Sequence, residues 1–279
     1  MILQYYEIYR HMKTNILFFF LPFHTTNVEW NTMFSILKDA GINFKDRRVF
    51  YNLYRNQTAV VRMNEEEVEA KIGKGTRQGG VESPILFNLY IEHALNKVKE
   101  QVNWGIKIGG EMVRMIRFAD DIAVVASSSK ELEEVLNLMQ DTLSQYYHMN
   151  INIKKTKVMK CSKVDSSSRL NIKIGGTRLV EVAEFCYLGS IITKDNRCKR
   201  DVRSRIAQAK KLMANKRELL ASNINVGVRK RLLKTFVWSV ALYGCETWVL
   251  GKSERDRLEA FEMWCYRRMM KIKWVDKVR

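Results

Sequence analysis

Two adjacent aspartates, Asp120 and Asp121, stand between the apolar runs Val113–Ile116 and Ile122–Val125. Like charges this close repel. Such a pair persists where water solvates it, where one member takes up a proton, or where a divalent cation neutralises both. Mg²⁺ favours carboxylate oxygens and keeps open positions for phosphate groups. Two such ions, about 3.5–4 Å apart, can activate a 3′-hydroxyl and stabilise a leaving pyrophosphate. Taken by itself, an Asp-Asp pair reads better as a solvated hairpin turn.

A second feature lies about 40 residues upstream, a separation within reach of one fold. Gly75-Thr76-Arg77-Gln78-Gly79-Gly80-Val81-Glu82-Ser83-Pro84 runs directly into the apolar stretch Ile85–Ile91. A glycine-rich loop opening a helix lets backbone N–H groups and a basic side chain approach phosphates or bases. A third is the basic turn Lys154, Lys155 and Lys157, read either as a solvated surface or as the source of a proton for pyrophosphate. His93 falls on the helix after the loop and reads as a packing or surface histidine. Trp238, Trp248 and Trp264 lie on apolar helical faces and read as core.

The elements that must position these groups follow from periodicity. Met33, Phe34, Ile36 and Leu37 mark a helix capped by Asn31 and stopped by Gly41, and a second helix runs from about Lys45 to Arg55. Thr58–Met63 and Val68–Ile72 form a hairpin, followed by a long helix with Ser83 as N-cap and Pro84 at its first position. Ile106–Ile108, Met112–Phe118 and Ile122–Ala126 read as strands, and Ser129–Tyr146 as an amphipathic helix. Four more strands fall between Val158 and Thr193. Beyond Asp195 only helices are expected, roughly over 199–221, 226–243 and 253–272.

The 279 residues carry 48 Lys and Arg against 30 Asp and Glu, a net charge of +18. Residues 194–279 hold 23 basic and 9 acidic side chains, a net of +14. That concentration favours a polyanion as partner and makes the C-terminal third the electrostatic handle. Five cysteines with no C-x-x-C pair argue against a disulfide framework or zinc ribbon and for a reducing compartment. Ile16–Phe23 is far shorter than the ~20 residues needed to span a bilayer, and no small-residue cleavage site follows it. No membrane association and an intracellular setting, cytoplasm or nucleus, are therefore expected.

Together, these motifs resemble the reverse transcriptase of non-LTR (LINE-type) retrotransposons. Gly75–Tyr90 is similar to the motif that lies under the template base and incoming nucleotide. Arg117–Asp121 is similar to the catalytic F/Y-A-D-D turn, Ile151–Lys157 to the motif whose lysine lies near the triphosphate, and Phe185–Gly189 to the primer-grip hairpin. Ile206–Trp248 resembles the thumb. The likeness covers about Val28 to Arg279. It implies an α+β fold: a polymerase-type palm, with an antiparallel sheet packed on helices, followed by an all-helical basic thumb. It further implies Asp120 and Asp121 as metal-binding catalytic residues for two Mg²⁺ ions, with Mn²⁺ as substitute. Arg77, Gln78, Gly79, Ser83, Pro84, Phe118, Ala119 and Lys155 would contact nucleotide or template. The implied partners are an RNA template, an RNA–DNA duplex and deoxynucleoside triphosphates.

The chain departs from that family at one decisive position. The family's A-F-D-x-V-x-W motif supplies a third metal-binding carboxylate, and aligning Val28 and Trp30 puts Thr26 there. A neutral hydroxyl cannot replace a carboxylate bridging two Mg²⁺ ions. Residues 1–26 are accordingly expected to be an unrelated or mis-joined segment, with 27–193 the palm, its fingers largely missing, and 194–279 the thumb. The reading is a reverse transcriptase fragment with impaired or no catalysis. Its alternative is a non-catalytic nucleic-acid-binding remnant.

Overall fold

A computed structural model describes residues 16–22, 28–63, 66–77, 79–119, 121–161, 169–195 and 197–276. The described residues divide into two compact units. One holds 16–160 and 169–182, and the other holds 161 and 183–276.

The first unit is built on a five-stranded sheet. Its strands are β1 (Ile16–Pro22), β6 (Met115–Phe118), β7 (Asp121–Ala126), β8 (Lys157–Cys161) and β11 (Val180–Glu181), in the order β11-β8-β1-β7-β6. β7 pairs antiparallel with β1 and with β6, and β11 pairs parallel with β8. β1 lies within the segment set apart from the palm on sequence grounds, yet it is the middle strand of this sheet. Its register runs from Leu17 opposite Ala126 to Pro22 opposite Asp121.

The helices of this unit are α1 (Trp30–Asp39), α2 (Phe44–Tyr54), α3 (Ser83–Gln101) and α4 (Ser129–Tyr147). The α4 start is capped by side chains on both sides of it. The Ser128 side chain accepts from Glu131 N, while Glu131 reaches back to accept from Ser127 N and Gly105 N. Its buried stripe, Leu132, Val135, Leu136, Met139 and Leu143, joins Leu86, Tyr90, Ala94 and Leu95 of α3 in one core. The Tyr90 hydroxyl donates to the Tyr147 carbonyl (3.0 Å), and His93 Nδ1 lies 2.6 Å from the Tyr147 hydroxyl. His93 thus packs rather than standing at the chemistry. Between α2 and α3, β2 (Thr58–Met63) and β3 (Glu66–Lys71) form the expected hairpin.

Three local expectations are corrected. α1 begins at Trp30 after an extended Glu29, so Asn31 lies inside the helix and does not cap it. Ser83 is the first residue of α3, not its cap, because its hydroxyl is spent on the loop behind it. The strand expected over Met112–Phe118 breaks at Arg114. Its first part, β5 (Glu111–Val113), pairs with β4 (Ile106–Ile108), and its second part, β6, pairs with β7.

The second unit begins with a hairpin, β12 (Glu184–Tyr187) and β13 (Ser190–Thr193), turned at Leu188 and Gly189, where φ is +50° and +82°. The unit boundary therefore falls before this hairpin and not after it. The cause is a set of bonds to the helices. Asp201 of α5 (Lys199–Asn215) accepts from Ile191 N (3.1 Å) and from Trp248 Nε1 (2.8 Å). Arg205 donates to the Gly189 carbonyl, and the Tyr243 hydroxyl donates to Leu188 O (3.1 Å). The helical core joins Ala209 and Met213 of α5 to Leu233, Val237 and Ala241, and to Phe261, Cys265 and Met269. The helix expected over 226–243 contains a π-helical stretch, Leu233–Trp238. Trp238 and Trp264 pack against Phe261, as core residues should. Among the described residues, no helix is long and apolar enough to cross a membrane.

Candidate active site

The Asp-Asp turn closes a tight hairpin. Phe118 of β6 is opposite Asp121 of β7, leaving only residues 119 and 120 for the connection. Ala119 takes φ +51°, the left-handed conformation that two-residue hairpin turns demand. The neighbouring β7 residues, Ile122–Ala126, are fully buried, whereas Asp121 and Phe118 are exposed. A deep apolar strand thus ends abruptly in a carboxylate at the surface. Asp120 lies outside the described residues, as do Gln78 and Thr26.

On its other side β7 meets β1, and the residue opposite Asp121 is Pro22. β1 reads Ile-Leu-Phe-Phe-Phe-Leu-Pro and contains no acidic residue. The strand that borders the turn therefore contributes no carboxylate to it. Among the described residues, no three His, Cys, Asp or Glu side chains converge on a metal position. The donor type at the turn, an exposed carboxylate oxygen, is nonetheless the type that a hard cation such as Mg²⁺ takes.

The glycine-rich loop is curled on the Arg77 carbonyl. Ser83 Oγ donates to it at 2.6 Å and Gly80 N at 3.2 Å, and Ser83 N donates to Gly80 O at 3.2 Å. A Cβ on Gly80 would meet Glu82 Oε1 and Ser83 Oγ at 2.7 Å, so both side chains would have to shift to admit one. The loop's base is stitched to the segment before α1. Gly75 N donates to Val28 O (2.7 Å), and Trp30 Nε1 donates to Gly75 O (2.8 Å). Arg77, Gly79 and Pro84 are exposed, and Ser83 is buried.

The strand that enters the turn is joined to α3, the helix the loop opens, through an ion pair that the sequence reading missed. Arg117, one residue before Phe118, pairs with Glu92 of α3. Lys99 pairs with the same carboxylate at 3.4 Å. Beside the loop, a cleft of about 660 Å³ is lined by Arg55, Asn56, Lys74, Thr76 and Arg77. Arg55 and Lys74 were also missed, although Lys74 directly precedes the motif. Lys155 stands exposed on the turn leading into β8, where Asn152 accepts from Lys155 N and Thr156 N.

A family model described as reverse transcriptase (RNA-dependent DNA polymerase) matches residues 24–192. A putative uncharacterized transposon-derived protein of Caenorhabditis elegans is 25% identical over 168 residues, 60% of each chain. The retrovirus-related Pol polyprotein from type-2 retrotransposable element R2DM of Drosophila melanogaster is 28% identical over 144 residues. That match covers 48% of this chain and 13% of the polyprotein. The structure of apo telomerase from Candida tropicalis superposes with a TM-score of 0.52 at 12% identity, covering 97% of this chain and 49% of that one. The likeness to it is one of fold. The chain spans 60% and 13% of the length of these two relatives.

Proposed function

Because the chain belongs to the reverse transcriptase family, in the branch that non-LTR retrotransposons carry, we propose that it holds a primed RNA template and carries a weakened polymerase centre. The observation behind this is the β6–β7 hairpin: a two-residue turn that ends a buried strand in the exposed carboxylate of Asp121, tied through Arg117 and Glu92 to the helix opened by the glycine-rich loop. Asp120 and Asp121 would hold the divalent ions that reverse transcriptases use. When bound, Mg²⁺ would favour the ionised primer hydroxyl and neutralise the leaving pyrophosphate.

The chain's own residues have simpler tasks. Arg77, with Gln78 and Gly79, offers charge and accessible backbone to the template and incoming nucleotide. Ser83 fixes the loop's curl by its bond to the Arg77 carbonyl, and Pro84 follows it in the first turn of α3. Phe118 and Ala119 flank the aspartates, and Lys155 would donate a proton to pyrophosphate. In the helical unit, α5 turns Val202, Ala209 and Met213 inward and exposes Lys199, Arg200, Arg203, Lys210 and Lys211. Such a face suits the phosphates of an RNA–DNA duplex, read by shape and not by sequence.

The weakening has a physical cause. Neither β1 nor Thr26 supplies a third carboxylate, and catalysis in phosphoryl transfer is mostly positioning and charge neutralisation. The expected loss is on the order of 10³-fold or more, by analogy with other lost electrostatic stabilisers. Binding and primer extension on an oligo(dT)-primed poly(rA) template test both halves. The duplex should bind with a log–log salt slope near −0.9 per phosphate contacted. No extension should appear with Mg²⁺ or Mn²⁺. Salt-indifferent binding would defeat the first half. Robust extension that Asp120→Asn abolishes would defeat the second and establish a competent enzyme.

A further inference from the structure

A second polar surface of the same unit lies along α2. Phe44, Arg48 and Tyr51 fall at i, i+4 and i+7 of this helix, one face of it, and Arg55 follows its end. The aromatic members are open to solvent: Phe44 is 69% exposed and Tyr51 45%. Phe34 of α1 stands beside them, its ring 5.5 Å from that of Tyr51. The Arg55 guanidinium lies over the same Tyr51 ring, 5.6 Å from its centre. Together they line a groove of about 420 Å³. Arg55 also lines the 660 Å³ cleft that reaches Lys74, Thr76 and Arg77. The two hollows thus share Arg55 as a lining residue, one on the side of the glycine-rich loop and one along α2.

Their joint lining is cationic and unneutralised. Among the described residues, the side chains of Arg48, Arg55, Lys74 and Arg77 have no carboxylate partner. The one acid of α2, Asp46, is occupied at the helix start by Asn43, whose Nδ2 donates to it at 2.7 Å. Exposed rings interleaved with guanidinium groups make a platform on which unpaired bases stack while the cations follow the backbone. A duplex hides its base faces and gains nothing from the rings.

We propose that this track, from Arg77 past Lys74 and Arg55 to Tyr51, Arg48 and Phe44, carries the unpaired template RNA beyond the primed duplex. The inference rests on the palm reading for its direction, and its test separates the two. Anisotropy of the full chain is measured with a blunt RNA–DNA duplex, with the same duplex bearing an unpaired 5′ RNA extension, and with the unpaired RNA alone. The extension should tighten binding about tenfold or more. The double variant Phe44→Ala, Tyr51→Ala should abolish that gain and leave the blunt duplex unchanged, while Tyr51→Phe keeps it. Phe44 is largely exposed and Tyr51 about half exposed, and neither belongs to the buried core, so circular dichroism of the variants should match the parent.

A variant that keeps the gain, or weakens blunt and extended duplexes equally, overturns the track. Absence of binding to every ligand overturns both the track and the palm reading. If unpaired RNA binds in a ring-dependent way and the blunt duplex does not, the palm reading fails and the track stands.

Discussion

Replacing Arg205 with methionine should loosen the Glu184–Thr193 hairpin without unravelling the helices. Arg205 is 7% exposed and makes three contacts at once. It donates to the Gly189 carbonyl, lies 4.4 Å from the Tyr243 ring centre, and places Nε 3.9 Å from Asp201 Oδ1. Methionine keeps most of the aliphatic packing and loses all three. Asp201, itself buried, would keep its bonds from Ile191 N and Trp248 Nε1 but lose its cation. Removing one partner of a buried ion pair costs about 3–5 kcal/mol, because it strands the other charge. The two remaining hydrogen bonds on Asp201 put this case at the lower end. A cost of about 3 kcal/mol is about a 10²-fold rise in the opening constant. Hydrogen exchange of the full chain reads this directly, since local opening sets the exchange of the 184–193 amides. In an Asp201→Asn background the same substitution should cost about 1–2 kcal/mol less, since no stranded charge is left. Exchange within about threefold of the parent would refute the reasoning. So would an equal cost in the two backgrounds.

Gly105→Ala should lower the stability of the first unit by about 2–4 kcal/mol, read as a fall in its urea midpoint, because φ is +115° and a Cβ would meet the Val113 carbonyl oxygen at 2.5 Å. Thiol titration of the native chain should find Cys186 reactive and Cys265 silent. Cys186 is exposed, whereas burial pushes the Cys265 thiol up to about 12. Unfolding in urea should release Cys265 at the rate of an ordinary thiol. Stability should also fall above about pH 10, the ordinary tyrosine range. Burial raises the Tyr147 phenol to about 12 and raises Tyr90 as well. Each contribution is complete below the unfolded pKa and is lost as pH climbs toward the folded one, since the unfolded chain ionises first. Tyr147→Phe should flatten that alkaline decline in urea midpoints and leave a smaller one owed to Tyr90.

Much of this architecture was legible because periodicity and local chemistry agree. The amphipathic stripe of α4 and the β2–β3 hairpin need no distant partner to be read. The failures share a different origin. Ser83 looks like a cap, but its hydroxyl serves the Arg77 carbonyl six residues back. Met112–Phe118 looks continuous, but its halves pair with different strands. The Glu184–Thr193 hairpin reads as the end of one domain and belongs with the next, because Asp201, Arg205 and Tyr243 hold it. At the candidate site the F-A-D-D turn was plain from residue types, whereas its bond to α3 through Glu92 and its neighbour β1 depend on long-range pairing. Sequence alignment looked for the third carboxylate at Thr26. Thr26 lies outside the described residues, and the residue that strand register places opposite Asp121 is Pro22.

The central position of β1 bears on how this unit can be produced in isolation. The family match starts at residue 24, just past the strand. Expression boundaries drawn there would delete the middle of the sheet and separate β7 and β6 from β8 and β11. β7 and β8 would then each present a row of unpaired N–H and C=O groups, and β7 is almost wholly apolar. Bare, flat, hydrophobic edges of that kind recruit strands from other molecules. The seven residues from Ile16 to Pro22 thus act as a seam whose removal would turn one closed surface into two adhesive ones, making self-association the dominant behaviour of a trimmed palm.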